Sequence, residues 1–575
     1  MSNDEIAKVL NELAGFLDMD EVQFKPRAFE KAAEVISAFE QEIPELYKEG
    51  GLKGIMRIPG VGVGIAERIE EFLKTGHIKD LDKLKKKYPV DYQQLRRVEG
   101  VGPKHIKKLY RDLGIRTLED LENAAKKGKI RKLGHFGQKS EENILRGIDF
   151  VKSSGGRFVL GDILPLVRLI EERLGALKET KKVVVAGSIR RWKETIGDID
   201  ILVVSKKPRK VMDFFVKMPE VIDVHAHGET KSSVKLSKGI DVDLRVVEEK
   251  SFGAALNYFT GSKDHNVALR QLAIKKGYKL NEYGLYKGAK FVAGRNEEEL
   301  YKALGFKQTF IPPEMRETKG EIEAALKGEL PEIIGYKDLR GDLQTQTNWT
   351  DGAHSIEEMS LAAKKAGLEY IVITDHTKAL AMTGGNDEKR LLKQWAEIDG
   401  LNKKGLGVKI LKGAEVNILK DGSLDIDDKT LSQGDVIGAA VHTNFNMSKK
   451  DMTERIKRAM KNPNVDILFH PTGRLINKRE AYELDMEEII KTAKNSGTIL
   501  EIDAYPDRLD LKDDHIRSAI EAGVKLSIDS DAHNKNHFGV LEFGVAQARR
   551  GWATKKDIIN AWPAEKMLKS LKDAR

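Results

Sequence analysis

Apolar positions change their period several times along the chain, and each change marks a domain. Up to about residue 150 they recur every three to four residues, in runs such as AERIEEFLKTG and PKHIKKLYRDLGI, which predicts amphipathic helices. A further helix is predicted over 157–180, RFVLGDILPLVRLIEERLGALKET. The period then shortens. Val183-Val184-Val185-Ala186 reads as a short buried strand, Gly197 to Val204 as a second and Val242 to Val247 as a third. Side chains alternate across a strand, so Asp198 and Asp200 share one face while Ile199 and Ile201 point the other way. Residues 319–338 read as a linker with a short helix. Beyond it, apolar strands alternate with helical stretches, the signature of a parallel α/β architecture. IVITDH, ILKGAE, IGAAVH, DILFH, TILEID and KLSIDSDAH all end on polar side chains, which suggests a metal or phosphate site at the strand ends of a barrel-like fold.

Two Gly-containing turns stand out in the helical region. Ile58-Pro-Gly-Val-Gly62 and Val98-Glu-Gly-Val-Gly102 each open a helix, and Leu133-Gly-His-Phe-Gly137 is a looser third copy. Gly60, Gly62, Gly100 and Gly102 would let backbone N–H groups approach a phosphate at a helix N-terminus. Such contacts hold a nucleic-acid backbone without reading its sequence. Charge agrees with this reading. The 575-residue chain carries a net +9, and residues 51–150 alone hold 23 Lys+Arg against 14 Asp+Glu, while residues 339–575 hold 37 of each. Lys104 lies just after the second turn, at the start of the run it opens. The composition contains no Cys, which removes disulfides, thiolate metal ligands and thiol nucleophiles, so metals must sit on His and carboxylates. No apolar run reaches the ~20 residues of a membrane span, and the acidic start MSNDE lacks a signal-peptide pattern. A cytoplasmic, monomeric protein without membrane contact is expected.

The centre of the chain holds the most specific chemistry. Asp198, Asp200 and Asp243 on neighbouring strands, a Gly187-Ser188 turn and Arg191 nearby form the set that two-metal phosphoryl transfer uses. The aspartates would hold divalent ions, and the turn and guanidinium would grip the β- and γ-phosphates.

GSIRR followed by GDIDILVV resembles the nucleotidyltransferase signature of family X DNA polymerases, and ALNYFTGSKDHN at 255–266 is similar to their nucleotide-pocket segment. The hairpin repeats fit the same family. The resemblance implies that Asp198 and Asp200 hold both metals, Mg²⁺ or Mn²⁺, and that Asp243, with Asp241 as its rival, holds the catalytic ion beside the primer 3′ hydroxyl. It further implies that Gly197, with Gly187, Ser188 and Arg191, binds the nucleotide, that Tyr258, Phe259 and Gly261 line the sugar of the incoming nucleotide, and that Asn266 and Arg270 reach its base and the template. The second half is similar to the polymerase and histidinol phosphatase (PHP) domain of bacterial and archaeal members. GDLQTQTNWTDG, ITDH, GAEVNI, VHTNFN, FHPTGRL and SDAHN occur in that family's order. Asp351, His376, Glu415, His442, His470, Asp531 and His533 are then implied as Zn²⁺ or Mn²⁺ ligands for a 3′ to 5′ exonuclease or other phosphoesterase.

Two departures qualify the resemblance. The opening metal motif, usually His-x-His or Gln-x-His, is here Gln344-Thr345-Gln346. An amide oxygen is a weaker ligand than imidazole for zinc and manganese, so this nuclease is expected to be weakened. At the N-terminus, FKPRAFEKAA and IPGVGVGIAERIEEF resemble the 5′-phosphate-binding lyase domain of eukaryotic repair members, yet Arg68 aligns with the Schiff-base lysine. Arginine stays protonated and forms no imine. Lys25 can still hold a 5′ phosphate, and sugar-fragment removal would need Lys74, another lysine or another enzyme.

The expected architecture is multidomain, α+β and α/β. It comprises a helical domain with the first helix-hairpin-helix (1–90), a DNA-binding helix-hairpin-helix region (91–150), a nucleotidyltransferase palm (151–250), a nucleotide-binding subdomain (251–318), the linker and a distorted β/α barrel (339–575). The expected function is template-dependent DNA synthesis filling short gaps, with gapped or primer–template DNA and deoxynucleoside triphosphates as partners. A monovalent cation at the hairpin loops is a further candidate. A template-independent nucleotidyltransferase and a DNA gap-binding scaffold are the alternatives.

Overall fold

The structure is a computed structural model that describes residues 3–37, 39, 41–98, 100–134, 136–153 and 156–574. The chain divides into two compact units, one of residues 1–155 with 477–480, the other of 156–476 with 481–575.

The first unit is helical. Its apolar stripes bury one core in which Leu10, Phe16, Ile36, Ile69, Ile106, Leu121 and Ile148 are all fully enclosed. Helices Val63–Thr75 and Pro103–Leu113 start in the same way. Gly60 and Gly100 take left-handed φ of 78° and 80°, and Gly62 and Gly102 are the N-caps at φ −81° and −80°. No side chain caps either helix, which leaves its N-terminal end open to another acceptor. Glu99 of the second turn and His135 of the looser third copy lie outside the described residues.

The second unit opens with the region expected to be the palm. Its five-stranded sheet runs in the order Thr180–Val185, Asp198–Ser205, Asp241–Val247, Lys231–Leu236, Val221–His227. The predicted helix over 157–180 is shorter, Leu160–Gly175, because Phe158–Val159 is extended and pairs with Thr195–Ile196. Helices Phe252–Thr260 and Lys263–Lys275 and a three-stranded antiparallel sheet follow. In the linker region, helix Glu321–Lys327 buries Ile322 and Ala325 in the core beneath that sheet.

The C-terminal part is a nearly closed barrel of seven parallel strands in chain order, from Gly341–Thr345 to Leu526–Asp529. Its first and last strands approach through the bridge of Thr345 with Ala532 and the hydrogen bond from the Gln346 N–H to the Ala532 carbonyl (2.8 Å). The strands are apolar on both faces, as helices cover the outside. The barrel is not an appendage. Its Ile476, Leu509 and Phe543 sit in the core beneath the five-stranded sheet, and Trp552 sits in the core that helix Lys263–Lys275 and the three-stranded sheet share.

Candidate active sites

Strands Asp198–Ser205 and Asp241–Val247 run parallel in a register that sets Asp198 opposite Asp241 and Asp200 opposite Asp243. The alternation read from the sequence places these carboxylates on one sheet face, with Ile199 and Ile201 buried beneath. Burial, with Asp198 and Asp243 adding to it, pushes the Asp200 carboxyl up to about 6. Asp243 behaves oppositely. Burial pushes it up, but the Ser233 hydroxyl (2.5 Å) and Lys231 (3.0 Å) hold it below the ordinary value. Asp241 lies at the exposed end of its strand beside His225 (3.2 Å) and Lys235 (3.4 Å). Crowded carboxylates, one of them resisting ionisation, are a donor set that fits divalent cations.

Gly187 approaches this cluster closely. At φ 62° it occupies the left-handed region, and a Cβ there would fall 2.6 Å from Asp200 Oδ2. The next residue's Ser188 Oγ is buried without a hydrogen-bond partner, an oxygen suited to a ligand phosphate. Arg191 is oriented by Nε on Glu317 (3.0 Å) and by Nη1 on the Thr260 carbonyl, and its guanidinium lies where Gly261 leaves room. Around it, Tyr258 and Phe259 pack edge to face, Arg270 stands over Tyr258 and Arg245 over Phe259. The Asn266 amide, expected to reach a base, here donates to the Tyr258 carbonyl (2.6 Å). Gly197 lies exposed at the start of the metal motif, beside Arg157. One network carried no sequence signal. Arg190 and Arg316 both pair with the buried Glu297, whose carboxyl burial opposes but the two guanidiniums hold down at about 2. These partners lie too far apart in sequence to be matched by spacing.

The barrel gathers its polar strand ends. Glu415 is the hub: His442 and His470 each bring Nε2 to 3.0 Å of its Oε1, and His376 Nδ1 lies 3.4 Å from Oε2. Burial opposes ionisation there, yet the three imidazoles hold Glu415 well below the usual carboxylate range. His442 Nδ1 faces Asn417 Oδ1 (2.8 Å), so a proton there donates to the amide and leaves Nε2 as the ligand atom. Asp351 closes a second group with His376 and His533, both at 3.6 Å. Asp531 lies beside His533, 3.6 Å away. Although burial lowers it, Asp531 and Asp351 push His533 up to about 10. Asp351, His376 and His533, and His376, Glu415 and His442, are donor sets that fit metal ions. The glutamines offer only neutral amide oxygens, weaker ligands than imidazole. Gln344 is fully buried with both amide atoms unpartnered, and Gln346 keeps Oε1 unpartnered while its Nε2 donates to Glu415 Oε2 (2.8 Å), engaging one carboxylate oxygen of the hub.

Comparison with known proteins bears on both halves of the chain. Residues 255–317 match the DNA polymerase beta thumb, 1–78 the helix-hairpin-helix domain, and 92–149 the SAM-like helix-hairpin-helix tandem. The chain is 37% identical over 578 aligned positions, 100% of its length and 98% of the relative's, to the DNA polymerase/3′-5′ exonuclease PolX of Bacillus subtilis. The chain belongs to the family X polymerases of PolX type. A probable phosphatase of Thermoanaerobacter pseudethanolicus is 30% identical over 231 residues, 38% of this chain and 89% of the relative. DNA polymerase lambda of the rat is 26% identical over 333 residues, covering 53% of this chain and 54% of that protein.

The chain holds one more candidate pocket, within its helical unit. A cavity of about 400 Å³ is lined by Lys25, Gly62, Gly64, Arg68 and Lys83 among others. Arg68 does not face it alone, because Asp80 pairs with its guanidinium at 2.7 Å. Lys74 points to Glu70 (3.0 Å), whose hydrogen bond raises its pKa and disfavours the neutral amine an imine requires. No helix among the described residues is long and apolar enough to cross a membrane.

Proposed function

We propose that the protein is a template-dependent DNA polymerase that fills short gaps during DNA repair, using divalent metals held by Asp198, Asp200 and Asp243. The register that sets Asp200 beside Asp243, with Gly187-Ser188 pressed against Asp200, carries this reading. Mg²⁺ or Mn²⁺ bound there would neutralise charge on the triphosphate and activate the primer 3′ hydroxyl. The chain's own groups do the rest. Ser188 Oγ and the Arg191 guanidinium bind the triphosphate. Asp243, kept ionised by Ser233 and Lys231, is the carboxylate able to take the 3′ hydroxyl proton. Tyr258, Phe259 and Gly261 bound the sugar, and Asn266, on leaving the Tyr258 carbonyl, and Arg270 meet the nascent base pair. The uncapped N-termini after Gly62 and Gly102, with Lys104 and Lys25, hold DNA phosphates, and a monovalent cation at the hairpin loops would help.

The Bacillus relative's exonuclease name and the phosphatase relatives support a phosphoesterase reading for the barrel, on Asp351, His376, Glu415, His442, His470, Asp531 and His533 with Zn²⁺ or Mn²⁺. The weak amide ligands at Gln344 and Gln346, and the Gln346 hydrogen bond on Glu415 Oε2, support a weakened activity.

Primer extension on a one-nucleotide gapped DNA with Mg²⁺ and each single deoxynucleotide tests the main reading. Incorporation of the complementary nucleotide alone, reduced at least about 10³-fold in Asp243→Ala, is expected. Indifferent incorporation would indicate a template-independent nucleotidyltransferase, and gap binding without incorporation a scaffold.

A further inference from the structure

The loop that follows the Gly187-Ser188 turn is held from the barrel. Arg191 is oriented by Glu317, and that carboxylate also meets Lys193 (3.5 Å) and Arg550 Nη1 (3.4 Å). The same Arg550 Nη1 donates to the Arg191 carbonyl (3.0 Å), while Nη2 donates to Asp513 (2.6 Å), itself paired with Lys319. Arg550 ends the barrel helix Leu541–Arg550, and its side chain is only 3% exposed. Phe543 of that helix packs edge-on against Trp192 at 5.5 Å, and Trp192 holds a left-handed φ of 51°. Glu194 is forked by Arg474 (2.9 and 3.0 Å), four residues beyond His470. Thus Arg191 has its backbone carbonyl and its carboxylate partner fixed by one buried guanidinium supplied about 360 residues away in sequence.

We infer that Arg550 is a positioning residue of the polymerase nucleotide site: through the Arg191 carbonyl and Glu317, the barrel domain sets the Arg191 guanidinium for the incoming triphosphate. The inference rests on the reading of Arg191 as a triphosphate ligand. Its physical basis is pre-organisation. A long cation free to turn must lose that freedom when nucleotide binds, whereas one already fixed at its backbone and at Nε does not. Arg550 touches neither nucleotide nor metal in this account. Its removal should therefore weaken nucleotide binding and leave the chemical step and DNA affinity nearly unchanged. A barrel with a weakened nuclease would then still be required by the polymerase.

The test is single-nucleotide gap filling by the full chain with Mg²⁺, measuring KM for the nucleotide, kcat and gapped-DNA affinity. Arg191→Ala, Arg550→Ala and their double variant are compared, with Arg168→Ala as a control. Arg168 pairs with Glu542 (2.7 Å) across the same palm–barrel contact but touches none of the nucleotide-site residues. Arg550→Ala is expected to raise KM about five- to tenfold with kcat within about twofold. The double variant should be no worse than Arg191→Ala alone, and Arg168→Ala should be native. A native KM in Arg550→Ala beside a raised one in Arg191→Ala overturns the inference and leaves the reading of Arg191 standing. A native KM in Arg191→Ala removes that reading and the inference with it. Equal effects of Arg168→Ala and Arg550→Ala also overturn it, as loosened docking would then suffice. Should Arg550→Ala not fold, Arg550→Lys decides: it keeps the charge opposite Asp513 but cannot fork to the Arg191 carbonyl, so a raised KM supports the inference and a native one sinks it.

Discussion

Burial beside Asp198 and Asp243 raises the Asp200 carboxyl from 3.8 to about 6. Between those values the folded protein binds more protons than the unfolded chain, so the stability of the metal-free protein falls as pH rises from about 4 to about 6. Asp200→Asn removes the cost. It should stabilise the metal-free palm by about 2 kcal/mol at pH 7, lose that gain as pH approaches 4, and abolish nucleotide incorporation. Thermal unfolding across pH, with and without Mg²⁺, measures this. A destabilised Asp200→Asn protein at pH 7 would contradict the account. Gln346 raises the converse question in the barrel, since its amide occupies Glu415 Oε2. Gln346→His should raise Mn²⁺ affinity roughly tenfold and increase exonuclease activity on 5′-labelled single strands. Strong Mn²⁺-dependent activity in the native protein, lost in His470→Ala, would refute the weakened site.

The two hairpin–helix elements combine two kinds of glycine. Gly60 and Gly100 are required by their left-handed backbone, so Ala at either strains the turn by roughly 1 kcal/mol. Gly62 and Gly102 have ordinary φ and open space around a Cβ, so nothing in the free protein demands glycine there. Space for an approaching phosphate would. Gly62→Val and Gly102→Val should leave thermal stability within about 1 kcal/mol while each weakens gapped-DNA binding about tenfold and flattens its salt dependence. Unchanged DNA affinity in both variants would assign these turns to helix packing alone.

Across the larger unit, the palm and the barrel share core. Phe543, Leu509 and Ile476 complete the interior beneath the five-stranded sheet, Trp552 completes that beneath the three-stranded sheet, and the Arg474–Glu194 and Arg168–Glu542 forks flank the contact. Cutting the chain at residue 338 would expose this surface. Residues 1–338 alone should show a palm melting at least about 10 °C lower, or aggregation, where an independent module would leave the palm unchanged. Calorimetry of the two chains distinguishes the outcomes.

Local sequence determined much of this. Period-two alternation put Asp198 and Asp200 on one face, Gly at fixed offsets defined the hairpin turns, and strands ending in Asp, Glu and His marked the barrel site. Each of these is set within a few residues of backbone, where φ/ψ preference and side-chain period act directly. Tertiary structure alone decided the rest: that Asp200 rather than Asp243 resists ionisation, that Gln346 engages Glu415, that Glu297 joins Arg190 to Arg316, and that Arg550 reaches Arg191. Those contacts join residues tens to hundreds of positions apart, and their energies depend on burial and charge neighbours that no local pattern encodes.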